Sequence, residues 1–140
     1  MAYSNVGLDK RHLMLSLAPI ADAFSGTSTS DVHNVKGQGI LFTVFWGVGA
    51  TGTVTFTALA ADDTTPSNTT AVPFTYRSST TNDTWGNWTA ATTAGFTTTA
   101  GSNQMHQIYV DAAELAEEGY GYCQLQGVEV ADSPILGGIL

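Results

Sequence analysis

The run Thr53-Val-Thr-Phe-Thr-Ala-Leu-Ala60 constrains this chain more than any other stretch. Side chains in a strand alternate between two faces, so Val54, Phe56, Ala58 and Ala60 share one side and Thr53, Thr55 and Thr57 the other. A helix would scatter the same residues around its circumference. The run therefore reads as a half-buried antiparallel strand that needs a second apolar layer to cover it.

Similar short runs recur along the chain. Ile40–Trp46 is rich in β-branched and aromatic residues and is closed by the glycines of 47–52. Residues 71–77 and 84–90 read as a strand pair, followed by runs at 94–99, 105–110 and 120–130. Pro73 lacks an amide donor, which points to a sheet edge or to a strand's first residues. Trp85 and Trp88 are an odd number of positions apart, so a regular strand would send them to opposite faces. One short helix is expected near 111–118. Asp111-Ala-Ala-Glu114 has the spacing of a capping box, and Gly119 stops it. Seven or eight short strands with one helix predict a mainly β chain, a single antiparallel β-sandwich or jelly roll. The domain is assigned to 37–140. Residues 1–36, with the polar loop 25–30 and the short run Leu13–Leu17 halted by Pro19, are assigned to an N-terminal arm or edge segment.

Composition narrows the function. Charged residues make up 11% of the 140 residues, well under the roughly one quarter usual in soluble domains. Four bases against twelve acids give a net charge of −8, too few cations for phosphate neutralisation or for an anionic membrane surface. Neither nucleic acid nor membrane is expected as a partner. The imbalance is uneven: all four bases lie at or before Arg77, and seven acids with no base follow it. A lone cysteine excludes an intrachain disulfide and a multi-thiolate zinc site. The start lacks the pattern of a secretory leader, so folding in a reducing cytoplasm is expected.

Catalytic signatures are absent. Gly47-Val-Gly-Ala-Thr-Gly52 satisfies a dinucleotide fingerprint, but a strand follows it where a helix is required, and a hairpin loop is the better reading. His12, His33 and His106 share no metal-ligand spacing, and Asp62-Asp63 lacks the rest of a calcium loop. Asp111, Glu114, Glu117 and Glu118 read as a solvated helix face. Cys123 could in principle act with His106, but it has no cationic neighbour in sequence and reads as buried and inert. The sequons at Asn68, Asn82 and Asn87 are expected to stay unmodified. No enzyme activity, catalytic residue, metal or cofactor is expected. Exposed tryptophans fit a sugar-stacking platform or a protein interface, and the absence of a sugar-specific polar set favours the interface.

The segment from Gly37 to Leu140 resembles small virion structural proteins of tailed bacteriophages, of the head decoration (capsid cement) type. The likeness is carried by Gly39-Ile-Leu-Phe42, by Asp62–Arg77, by Thr84-Trp-Gly-Asn-Trp-Thr89, and by Val110–Leu115 running into Gly119-Tyr-Gly-Tyr122. The resemblance implies a protein that binds the outer face of the head and bridges major capsid subunits. It further implies synthesis in the host bacterial cytoplasm and self-association as a dimer or trimer. The alternative is another virion part, such as a tail component or a receptor- or carbohydrate-binding module. Within this frame Lys10, Arg11 and His12 are capsid-contact candidates. Trp85, Trp88, Ile135, Leu136, Ile139 and Leu140 are candidates for self-association.

Overall fold

The alternation read from 53–60 is realised in full. Val54, Phe56, Ala58 and Ala60 are completely buried, while Thr53, Thr55 and Thr57 lie half-exposed on the opposite side. The fold was obtained as a computed structural model that describes residues 13–49, 51–81 and 84–140. Its elements, in chain order, are β1 (Leu17–Ile20), β2 (Thr27–Thr29), β3 (His33–Asn34), β4 (Gly39–Trp46), β5 (Thr53–Ala61), β6 (Thr69–Val72), β7 (Phe74–Ser79), β8 (Thr89–Ala91), β9 (Phe96–Thr97), β10 (Gln104–Asp111), α1 (Ala112–Glu117), β11 (Tyr122–Ala131) and β12 (Gly137–Ile139).

Two antiparallel sheets pack face to face as a β-sandwich. The front sheet runs β1-β12-β4-β10-β7-β8. The back sheet is built on β11 and β5, flanked by β2 and β3 on one side and by β6 and β9 on the other. Between them lie Phe42, Val44, Trp46, Ile108 and Val110 from the front and Val54, Phe56, Ala58 and Leu125 from the back. Phe24 closes this core, meeting Phe56 edge-on at 5.3 Å and Trp46 at 6.1 Å. No helix among the described residues is long and apolar enough to cross a membrane.

Several local expectations change in the assembled chain. The described part of the first 36 residues is woven into the sandwich: it supplies the edge strands β1, β2 and β3 and the fully buried Phe24. The glycine-rich 47–52 is no hairpin, because β4 and β5 belong to different sheets and the segment carries the chain across. Gly49 and Gly52 lie against Ile135, and a Cβ would come within 3.0 Å and 2.7 Å of that side chain. Pro73 likewise sits where the chain leaves the back sheet after β6 and enters the front sheet at β7, a point where no ladder donor is needed. Residues 84–88 form no regular strand. They lie across β7, with the Gly86 amide donating to the Ser78 carbonyl at 2.9 Å.

The helix forms where expected. The Asp111 carboxylate accepts from the Ala113 amide at 2.9 Å as N-cap. At the other end Gly119 takes φ +79°, and the amides of Gly119 and Tyr120 donate to the carbonyls of Ala116 and Leu115, a Schellman closure.

Candidate protein-binding face

The outer side of the front sheet mixes apolar side chains with polar ones where a solvated sheet face would be mostly polar. In β4 the inward residues Phe42, Val44 and Trp46 alternate with Leu41, Thr43 and Phe45. In β10 the buried Gln104, His106, Ile108 and Val110 alternate with Met105, Gln107 and Tyr109. Strand register aligns these outward residues in rows: Phe45 beside Met105, Thr43 beside Gln107 and then Arg77, and Leu41 beside Tyr109. Met105 is 41% exposed and Leu41 38%. The backbone of Leu140 exchanges hydrogen bonds with Thr43, which continues the middle row. Beside these rows, Leu13, Lys36, Leu41, Gln107, Tyr109 and Leu140 line an open groove of about 760 Å³. Leu13, Met14 and Leu15 form a consecutive exposed apolar run leading into β1.

Arg77 stands at the far end of the middle row. Its Nε donates to Gln107 Oε1 at 2.7 Å, and its Cζ lies 4.8 Å from the ring centroids of both Trp85 and Trp88. Such cation–π packing fixes a guanidinium that would otherwise sample many rotamers. Odd spacing sends two side chains to opposite faces only in a regular strand. Because 84–88 is irregular, both indoles reach the same side and the same cation. Trp88 remains 46% exposed, and Trp85 is half-buried.

Charge on this face is divided. Lys36 and Arg77, the two bases among the described residues, both belong to it, and Arg77 has no carboxylate partner among those residues. Asp111 and Glu114 border the other edge of the same face, in a pocket shared with Thr75 and Tyr109, and the remaining described acids sit on α1, in the connecting loops and at strand ends. Asp62 is engaged by its own loop: it accepts from the amides of Ser67 and Asn68 and from Asn68 Nδ2, and the Asn68 side chain leads in holding its carboxyl below the usual range. It is not set up as a calcium ligand, and no group of three metal-capable side chains exists among the described residues.

The remaining candidates fall as follows. Lys10, Arg11 and His12 lie outside the described residues. The C-terminal segment is a front-sheet strand between β1 and β4, not a free apolar tail. Ile139 pairs with Val44 on the inward side and is 1% exposed; Ile135 packs on Gly49 and Gly52 and is 2% exposed. Both are therefore core residues rather than self-association residues. Leu136 is exposed, and Leu140 is half-buried at the rim of the groove.

The titratable groups that could support catalysis are buried, and Cys123 and His33 are cross-strand neighbours on β11 and β3. Burial in the apolar core pushes the Cys123 thiol up to about 12, and its Sγ donates to the Gln124 carbonyl at 3.8 Å. His33 bonds Ser16 Oγ through Nε2 at 2.7 Å, and burial lowers its pKa against a weaker opposing effect of Asp31. His106 bonds Ser78 Oγ through Nδ1 at 2.7 Å, and its Nε2 has no protein partner. It lies 4.7 Å from the Trp46 ring, and burial lowers it to about 4. Neither histidine hydrogen-bonds Cys123 among the described contacts.

Arg77, Leu41, Met105 and Tyr109 were not singled out from the sequence. The signal was present: in 40–46 and 105–110 the positions alternating with the core are also mostly apolar, which marks a strand covered on both sides. The fold and this face together define a charge-poor antiparallel sandwich with exposed apolar side chains on the outer side of its front sheet. Neither a protein-family model, nor a curated protein, nor a solved structure matches this chain.

Proposed function

We propose that the protein is an adhesive structural component, a capsid decoration protein that binds the outer face of a phage head and bridges major capsid subunits. The observation that carries the adhesive part is the coincidence, on one sheet face, of the exposed apolar side chains Leu41, Met105 and Trp88 with both described bases. Arginine and aromatic residues are the side chains most enriched at binding hot spots. The choice of a phage head rests on the resemblance carried by Asp62–Arg77, Thr84–Thr89 and Val110–Leu115. In this reading the protein acts as a dimer or trimer. Each contact is modest, and repetition over a symmetric shell multiplies the avidity.

The test is mechanical. Heads stripped of the protein release DNA at a lower temperature than intact heads, and adding the purified chain restores the difference. Equal release temperatures for stripped, intact and reconstituted heads overturn the cement role.

A second reading, a carbohydrate-binding module, is favoured by two indoles on one face. Against it, Arg77 lies over both rings and covers surface on which a sugar would stack. A glycan array comparing the wild type with Trp88→Ala separates the two readings.

A further inference from the structure

We infer that Arg77 is the anchor of this face and that its ligand is a carboxylate, an Asp or Glu side chain, on the surface of the protein partner. The inference rests on the adhesive reading above and names the partner chemistry at that face. Three observations converge on it. First, the guanidinium is positioned before any partner arrives: Gln107 Oε1 takes Nε at 2.7 Å and two indoles hold the plane at 4.8 Å each. A pre-oriented fork loses little rotamer freedom on binding, which is the condition for a bidentate contact to a carboxylate.

Second, the remaining donors of the fork have no acceptor among the described residues, although those residues include ten acids. A half-buried arginine in so acidic a chain with no carboxylate partner among the described residues has its charge left for an external one. Third, its surroundings are apolar. Trp85 and Trp88 pack on the guanidinium and Met105 lies in the neighbouring row, and apolar neighbours that exclude water on binding strengthen a charge-assisted hydrogen bond. Lys36, across the groove, adds a second positive charge to the same face. An acidic patch set in apolar surroundings is the complementary surface. A basic partner meets two cations here and is disfavoured.

The experiment is co-sedimentation of the full chain with bare phage heads, comparing wild type, Arg77→Gln and Arg77→Lys. A parallel set uses heads whose surface carboxylates have been converted to neutral amides with carbodiimide and glycinamide. Expected is at least a tenfold weakening for Arg77→Gln, a smaller loss for Arg77→Lys, and failure of the wild type to bind amidated heads. Thermal unfolding of each variant controls for loss of fold, and Arg77→Lys retains the charge and the bulk of the stem. If the wild type pellets with untreated heads and Arg77→Gln does so within twofold of it, the inference fails while the decoration reading stands. Undiminished wild-type binding to amidated heads has the same meaning. If the wild type does not pellet with heads at all, the decoration reading falls and the inference falls with it.

Discussion

The two sheets of this sandwich solve the same problem in opposite ways. The back sheet keeps closer to the two-sided rule: its inner row is Val54, Phe56, Ala58 and Leu125, and its outer side is led by Thr27, Thr29, Thr55, Thr57, Gln124 and Gln126, with Leu59 among them and Val128 and Val130 exposed toward the end of β11. The hydroxyls and amides outside satisfy water without presenting charge, and Thr55 Oγ1 also bonds Thr97 Oγ1 at 2.7 Å. The front sheet partly inverts the rule. Ser78, Gln104 and His106 are turned toward the interior, where Gln104 Oε1 and His106 Nε2 have no protein partner. Leu41, Phe45, Met105 and Tyr109 are turned toward solvent. Buried polar groups and exposed apolar ones each cost stability, and neither helps the isolated chain fold. A local breach of patterning that the rest of the fold tolerates is what an interaction surface leaves behind. On the adhesive reading proposed above, the front face is the one that a partner would cover.

The largest expected effect removes the comparison altogether. Phe56 is fully buried and joins the aromatic cluster of Phe24, Phe96 and His106, so both sheets depend on it. Phe56→Ala should destabilise by about 3–5 kcal/mol, read as a fall in the urea midpoint, and should abolish properties of both faces together. A loss under about 1 kcal/mol would mean that the two sheets do not share this core.

A somewhat smaller effect isolates the front sheet's polar interior. Burial lowers His106 to about 4, below its unfolded value of 6.5, so between those limits the unfolded chain binds the extra proton. Its contribution is fully present above about pH 6.5 and is lost as pH falls toward 4, a change of about 3 kcal/mol. His33 shifts in the same direction. Urea unfolding from pH 7.5 to 4 should show His106→Gln with a flatter profile than wild type. Parallel profiles would remove the burial of His106 as a source of acid sensitivity.

The back sheet was legible in the sequence because its logic is local. Thr53–Ala60 carries strict alternation, and such alternation admits one orientation. The helix was legible for the same reason, since Asp111 and Gly119 specify its ends through bonds to their own neighbours. The front face was harder, because its meaning lies in residues far apart in sequence. Arg77 finds Gln107 thirty positions on, and the Trp85–Trp88 spacing misleads once 84–88 is drawn off the strand by the Gly86–Ser78 hydrogen bond. The C-terminal run Ile135–Leu140 looks like a free apolar tail until Gly137 and Gly138 let it slot between β1 and β4, which hides Ile135 and Ile139. The division of charge at Arg77 dissolves similarly. Strands from both halves of the chain interleave in both sheets, so the sequence asymmetry does not become a division between one part of the sandwich and the other.

The finest test places one charge on each outer face and asks whether the molecule distinguishes them. Thr57 lies on the back sheet opposite Gln126, and Thr43 lies on the front sheet opposite Gln107, in the row that ends at Arg77. Both are half-exposed threonines in central strands, so Thr57→Lys and Thr43→Glu should each change stability by no more than about 0.5 kcal/mol. Their effects on head binding should diverge. Thr43→Glu puts an acid in the row of Arg77, where it competes for the guanidinium and repels an incoming carboxylate. Thr57→Lys alters a face that the partner does not meet. Co-sedimentation at low and high salt reads the result: a loss for Thr43→Glu that shrinks as salt screens the charge, and none for Thr57→Lys at either salt. Equal losses for the two variants would mean that the threonine face binds as well, and the division of labour between the sheets would then be wrong.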